Sequence, residues 1–404
     1  ANRYSNLNSN IYKYCENILE NKKNYKAITS LLNRDFPNIK NIKTGEKIIK
    51  TNNFEFEIPK ILLNMQDSYI FCQGPPGTGK TFQAANSIIE LIRNNKTVAV
   101  TANSHKVIHN LLEKVEDLSK KKGLTFSGLK KGNKDDEETH FNGEYIKTST
   151  DDRAFVNGVN DKTIKLFSGT KYHLSNAFYH SKIDYLFVDE AGQLSLTDII
   201  AIGIISKNIV LVGDQLQLGQ PTRGNHPGDS GKSVLDYLLD NKDTIDDSKG
   251  IFLNRTFRLN PEINSFTSTS FYDGRLLTHK LAENRKIEYP KSCLIKKDGI
   301  HFISMKHEDN SQKSLEELKI IQKLIKQLVG ANFIDNKMKR KLSIKDILVV
   351  TPYNVQVNYL LANLPEGTRI GTVDKFQGQQ APITIISMVT SDTDSLPRNK
   401  NWFF

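Results

Sequence analysis

The sequence predicts an α/β protein built from two parallel-sheet domains. Three features predict it: a glycine-rich octapeptide at 74–81, a repeated alternation of short apolar runs with amphipathic helices, and an acidic pair at 189–190 closing another apolar run. Strands that alternate with helices form parallel sheets covered on both faces. Ligands of such sheets gather where the strands end.

The octapeptide reads Gly-Pro-Pro-Gly-Thr-Gly-Lys-Thr and meets the spacing G-x-x-x-x-G-K-[ST] at Gly74, Gly79, Lys80 and Thr81. A backbone wraps a phosphate chain this tightly only where no Cβ intervenes, with its N–H groups turned inward. The cradle residues are then Gly74, Pro75, Gly77, Thr78 and Gly79. Lys80 supplies charge for the β and γ phosphates, and Thr81 offers a hydroxyl to Mg²⁺. Ser68 to Cys72 reads as a buried strand before the loop. Phe82 to Ile92 reads as a helix after it, with Ala84, Ile88, Leu91 and Ile92 on its apolar side. A loop leading into a helix N-terminus is an anion site.

The remaining elements follow in order. Residues 1–55 form an N-terminal helical accessory region, from the spacing of Ile11, Tyr14, Ile18 and Leu19 and of Ile28, Leu31 and Leu32. Residues 56–255 form the first core domain, with Thr97–Thr101, Ile183–Val188 and Ile209–Val212 as strands. Within it, residues 118–162 break the rhythm with opposed charge blocks and read as an insertion. Residues 256–404 form the second core domain, with strands near Ile300–Ser304, Asp346–Thr351 and Ile383–Met388 and an amphipathic helix over Ser314–Leu328.

The chain has 404 residues, and its net charge of +11 favours a polyanionic partner, nucleic acid first. The three cysteines are far apart, which suggests neither a zinc site nor an iron–sulfur cluster and suits a reducing, cytoplasmic compartment. No apolar run reaches 18 residues, so no membrane partner is expected.

Asp189 and Glu190 follow the apolar run Tyr185–Val188. One such carboxylate can hold Mg²⁺ while its neighbour orients or deprotonates an attacking water. The run Leu211–Leu218 ends another strand with Gly-Asp and glutamines, whose amides both donate and accept and so can sense a γ-phosphate.

Taken in order, GPPGTGKT, TANSHKVIHNLL, FVDEAGQ, LVGDQLQLGQP, RTFRLNPEINSFTSTSFYDGRL, VVTPYNVQVNYL and IGTVDKFQGQQAPITIISM resemble the motif series of superfamily 1 helicases. The likeness is to the 5′-to-3′ branch of nonsense-mediated-decay helicases and replication nuclease–helicases. The stretch His226–Leu239 is also similar to prokaryotic fusions of such a helicase with a RecB-like nuclease. The resemblance implies two RecA-like domains of the P-loop NTPase fold, and ATP-driven movement along single-stranded nucleic acid, DNA ahead of RNA. It implies that Lys80 and Thr81 bind phosphate and Mg²⁺, that Asp189 is the metal partner, and that Glu190 is the catalytic base. Gln217 matches the glutamine that couples γ-phosphate to domain closure. Arg258 matches an arginine that reaches the γ-phosphate, and Phe257 stands where a tyrosine stacks on adenine. Thr101, Asn103, Ser104 and His105, then Gly169 and Thr170, match strand-gripping positions of the first domain. Thr351, Pro352, Tyr353, Thr372, Asp374, Phe376 and Gln377 match those of the second.

Two departures stand out. Gln380 occupies a position where the family has a glutamate for the nucleotide, so a charge is lost there. The chain ends at Phe404, before the family's last motif and its arginine. That ending leads us to expect a helicase cut short or, alternatively, an ATP-binding nucleic-acid module with little turnover.

Overall fold

The computed structural model describes residues 4–217, 219, 226–336, 338–376 and 378–391. It divides into two units, residues 1–256 with 268–277, and residues 257–267 with 278–404.

The first unit is organised by one sheet. Among its elements, in chain order, are α1 (Ser5–Leu19), α2 (Lys26–Leu32), α3 (Phe54–Leu63), β1 (Tyr69–Gln73), α4 (Lys80–Arg93), β2 (Val98–Thr101), α5 (His105–Lys121), β3 (Gly128–Lys131), β4 (Ile146–Ser149), α6 (Asp152–Asp161), β5 (Leu166–Ser168), β6 (Ile183–Val188), β7 (Ser206–Gly213) and β8 (Gly250–Phe252). The strands lie in the order β4-β3-β5-β2-β6-β7-β1-β8. Every pairing in this sheet is parallel.

Successive side chains of a strand point to opposite faces, and the apolar runs exploit both. Tyr69 and Phe71 of β1, Leu186 and Val188 of β6, and Ile209 and Leu211 of β7 enter one core. Ile70 and Cys72, Tyr185 and Phe187, and Val210 and Val212 enter the other. This is why the central strands read as unbroken apolar runs. Each large aliphatic side chain so buried contributes about 1.5–3 kcal/mol.

Helices α3, α4 and α5 cover the second core through Ile58, Leu62, Ala85, Ile88, Ile89, Leu111 and Val115. Helices α1 and α2 complete the first core through Leu7, Tyr14, Ile28 and Leu31. They are tied in closely. Asn10 Nδ2 donates to the carbonyl of Ala201 at 2.8 Å. Ile28 fills the space over Gly203, where an added Cβ would lie 2.0 Å from its Cδ1.

The segment expected as an insertion extends this sheet. Strands β3 and β4 add to its edge as Gly-Leu-Lys-Lys and Ile-Lys-Thr-Ser, too short and lysine-rich to show an apolar run. Glu116 of α5 fastens the turn before β4, its carboxylate accepting the N–H groups of Tyr145 at 2.9 Å and Ile146 at 2.8 Å.

The second unit holds a three-stranded parallel sheet with Ile347–Val350 between Arg369–Gly371 and Ile383–Ile386. A three-stranded antiparallel sheet is formed by Lys286–Glu288, Asn332–Asp335 and Met338–Lys341. The helix Leu315–Leu328 starts on Ser314, whose hydroxyl accepts the Glu317 N–H, and packs Leu318, Ile321, Leu324, Ile325 and Leu328 against Ile347, Val349 and Ile370.

One expected strand is corrected. Residues 300–304 form no strand, and Phe302 within them is 91% exposed. An apolar run without a neighbour to pair with forms no ladder.

Candidate functional site

In a parallel sheet all strands end on one edge. The loops after β1, β2, β5, β6 and β7 therefore meet there, and they carry the predicted residues of the first unit. The turn from β1 to α4 needs left-handed backbone, with Gly77 at φ 77° and Gly79, the residue before α4, at φ 83°. Gly74 is needed for a different reason: a Cβ there would lie 2.2 Å from Lys80 Cγ. The Lys80 stem crosses this gap, and its Nζ donates to the Gly74 carbonyl at 2.7 Å. Thr78 closes the loop with its hydroxyl on the Pro75 carbonyl at 2.7 Å. Thr256 braces it from outside, donating to the Pro76 carbonyl at 2.9 Å.

Two acidic turns stand beside the loop. Asp189 is 4% exposed, and its backbone N–H donates to the Thr101 carbonyl at 2.9 Å. Burial, then the neighbouring Glu190 charge, push its carboxyl up to about 7, against the pull of the Lys80 ammonium. Glu190 adopts left-handed backbone at φ 48°, a conformation that costs a non-glycine residue about 1–2 kcal/mol. Its N–H donates to Asp189 Oδ1 at 3.0 Å. Asp214, after β7, is 1% exposed, and burial raises its carboxyl pKa while Lys80 and Tyr272 oppose. Tyr272 Oη donates to Asp214 Oδ2 at 2.8 Å. Gln217 hydrogen-bonds the same carboxylate. The two turns touch through glycines, since a Cβ on Gly213 would lie 3.0 Å from the Ala191 nitrogen and one on Gly192 3.0 Å from the Asp214 carbonyl.

Lys80, Asp189, Glu190, Asp214 and Gln217 thus form one constellation. Thr81 opens α4 behind Lys80. Asp214 and Tyr272 were given no role from the sequence. A buried carboxylate after a Gly at a strand end is the signal for the first. Nothing local signals the second.

The strand-end residues divide by exposure. Asn103 and Ser104 are exposed, and His105 and Thr170 are half-buried. Asn103 Nδ2 donates to Gln193 Oε1 at 3.3 Å, and Ser104 caps α5 by accepting the Val107 N–H. Thr101 is fully buried, so its hydroxyl faces no ligand in this conformation. Gly169 is buried against the His173 ring, where a Cβ would lie 2.9 Å from Cδ2.

In the second unit Phe257 is 44% exposed, one ring face covered by His279 at 4.2 Å between centroids. Arg258 is half-buried, and burial followed by the charge of Arg285 lowers its guanidinium pKa. Arg285 holds this stretch of backbone, donating to the carbonyl of Arg258 at 2.7 Å while it grips both oxygens of Asp335 at 3.0 and 3.1 Å. Sequence reasoning missed His279, Arg285 and Asp335. Pro352, Thr372 and Phe376 are half-buried, and Asp374 and Gln380 are exposed. Thr351 is fully buried, and Tyr353 is 8% exposed with its hydroxyl 2.7 Å from that of Thr390. That ring is therefore core and offers no stacking platform. Gln377 lies outside the described residues.

Among the described residues, no group of three or more His, Cys, Asp or Glu side chains converges as a metal site, and no helix is long and apolar enough to cross a membrane.

Two family profiles, each described as an AAA domain, match residues 57–230 and 231–401. The "DNA replication ATP-dependent helicase/nuclease dna2" of Schizosaccharomyces pombe is 25% identical over 361 residues, covering 82% of this chain and 25% of that protein. The "ATP-dependent helicase NAM7" of Saccharomyces cerevisiae is 24% identical over 373 residues, covering 79% of this chain and 36% of that protein. The chain thus spans about a quarter to a third of these relatives' length. A solved arterivirus nonstructural protein 10 (helicase) with DNA superposes at a TM-score of 0.41 and 13% identity, covering 82% of this chain and 56% of that one. With an AAA-domain match on each half and helicase relatives along most of its length, the chain belongs to the superfamily 1 helicases.

Proposed function

We propose that the chain is an ATP-dependent helicase or translocase that hydrolyses ATP with Mg²⁺ and moves 5′ to 3′ along single-stranded DNA, unwinding duplex ahead of it. The observation that carries this reading is the Lys80 ammonium set within the glycine loop and acting electrostatically on both Asp189 and Asp214. The relatives' names support it, and those that pair helicase with nuclease support a nuclease module on the same parent polypeptide.

The residues fit a metal–triphosphate. A buried carboxyl raised to about 7 by burial and a like charge is a group that a divalent cation would stabilise in its ionised form. Asp189 and Thr81 are the residues that would hold Mg²⁺, which supplies charge neutralisation for the phosphates. The loop N–H groups and Lys80 bind the phosphate chain. Glu190 orients and deprotonates water, Gln217 reports the γ-phosphate, and Phe257 offers its free ring face to adenine. Arg258 answers the charge that develops on the transferred group. The exposed Asn103 and Ser104 and the half-buried His105, Thr170 and Phe376 grip the nucleic-acid backbone, positioning it without reading sequence.

The test is phosphate release from ATP with oligothymidylate, oligouridylate or no strand, on this chain and on a version extended beyond Phe404. The reading expects turnover that rises severalfold with strand, more with DNA than RNA. Turnover absent from both proteins under all three conditions refutes it.

A further inference from the structure

Strand β3 carries a lysine with an unusual setting. Lys130 has no exposed surface, although it sits in a short strand next to the sheet's edge, between β4 and β5. Its Nζ lies 2.7 Å from Nδ1 of His105 and also donates to the Thr139 carbonyl. Asp136 acts on it only as a more distant charge. Burying an ammonium without a carboxylate in contact is costly. Burial lowers the Lys130 pKa to about 8, so the group stays mostly protonated at neutral pH.

An ammonium has donors and no acceptor, so the bond to His105 fixes which ring nitrogen carries the hydrogen. Nδ1 must present its lone pair to Lys130, and Nε2 is left as the N–H. His105 opens α5 directly after the exposed Asn103 and Ser104, and its Nε2 takes no partner among the described residues. The charged and titratable groups facing this ring are Lys130 from β3, His109 from the next turn of α5 and Asp136 from the loop after β3. Burial, Lys130 and His109 disfavour the imidazolium and only Asp136 favours it, with the result that the ring titrates down at about 4.

We propose that Lys130 is a positioning residue that locks His105 as a neutral imidazole whose Nε2–H donates to a phosphate oxygen of the bound single strand. This rests on the strand-binding reading above. The lock makes the grip at this position independent of pH through the neutral range, because the ring neither gains a charge nor loses its donor there.

The experiment has two arms. Nitrogen–proton correlation spectra of the free protein, with His105 assigned through His105→Gln, are recorded from pH 5 to 8. The proposal expects the Nε2–H tautomer and no titration of His105 in that interval. Fluorescence anisotropy with oligothymidylate is then measured for wild type, Lys130→Met, Lys130→Arg and His105→Ala. Lys130→Met is expected to weaken binding about five- to tenfold at pH 7, where Lys130 of the wild type is still mostly an ammonium. It also makes binding recover as pH falls through about 6.5, where a released histidine gains its charge. Lys130→Arg, still a cationic donor, restores the flat wild-type profile. A wild-type His105 in the Nδ1–H form or titrating near 6.5 overturns the proposal, as does a Lys130→Met profile identical to wild type. If Lys130→Met does not fold, the wild-type tautomer and the His105→Ala affinity decide. Wild type binding normally with His105→Ala unchanged overturns the contact alone. Wild type without any affinity for the oligonucleotide overturns the strand-binding reading itself.

Discussion

Replacing Asp189 by asparagine should make the ligand-free protein more stable at pH 8 while ending ATP turnover. In an unfolded chain an aspartate titrates near 3.9. In the fold, burial and Glu190 carry Asp189 to about 7. Between those values the folded protein holds a proton that the unfolded chain releases, so stability falls as pH rises from about 4 and the loss is complete above about 7. A displacement of that size corresponds to about 4 kcal/mol at most. Asparagine keeps the oxygen that accepts the Glu190 N–H and removes the charge. For a unit of some 260 residues, about 2 °C of melting temperature accompanies each kcal/mol, giving a rise of up to about 8 °C at pH 8. At pH 5.5 the advantage should shrink to about half, because the wild-type carboxyl is already protonated there. Calorimetric melts of both proteins at the two pH values, free of nucleotide and divalent metal, measure this. A variant no more stable than wild type at pH 8, or an advantage that does not shrink at pH 5.5, refutes the reasoning.

Other changes follow from the same geometry. Lys80→Ala should lower phosphate release by about a hundredfold or more and leave oligonucleotide affinity within a few-fold of wild type, as read by anisotropy. Gly74→Ala puts a Cβ against the Lys80 stem, and titration with a fluorescent ATP analogue should reveal at least a tenfold weaker complex. Tyr272→Phe removes the donor to the buried Asp214 and should cost about 1–3 kcal/mol in a denaturant titration at pH 8.

The phosphate loop and its flanks were readable because phosphate geometry dictates residue type at fixed spacing, and the central strands because both of their faces are buried. β3 and β4 were not readable, since their lysines hide that they pair at the sheet edge. Residues 300–304 were misread because an apolar run carries no record of whether a neighbouring strand exists. Motif position likewise says nothing of which way a side chain turns, so Thr101, Thr351 and Tyr353 were expected at an exposed edge and lie buried. The supports of the site were beyond reach for a further reason: Lys130 meets His105 across 25 positions, Arg285 meets Asp335 across 50, and Tyr272 meets Asp214 across 58. Only the folded chain brings such pairs together.

A motor requires that nucleotide and strand feel each other through the protein, and thermodynamic linkage makes that reciprocal. The most direct measurement is a pair of titrations: oligothymidylate affinity with and without a saturating non-hydrolysable ATP analogue, and analogue affinity with and without saturating oligothymidylate. The account predicts that each ligand changes the affinity of the other by the same factor, different from one. Two affinities that ignore each other would contradict it.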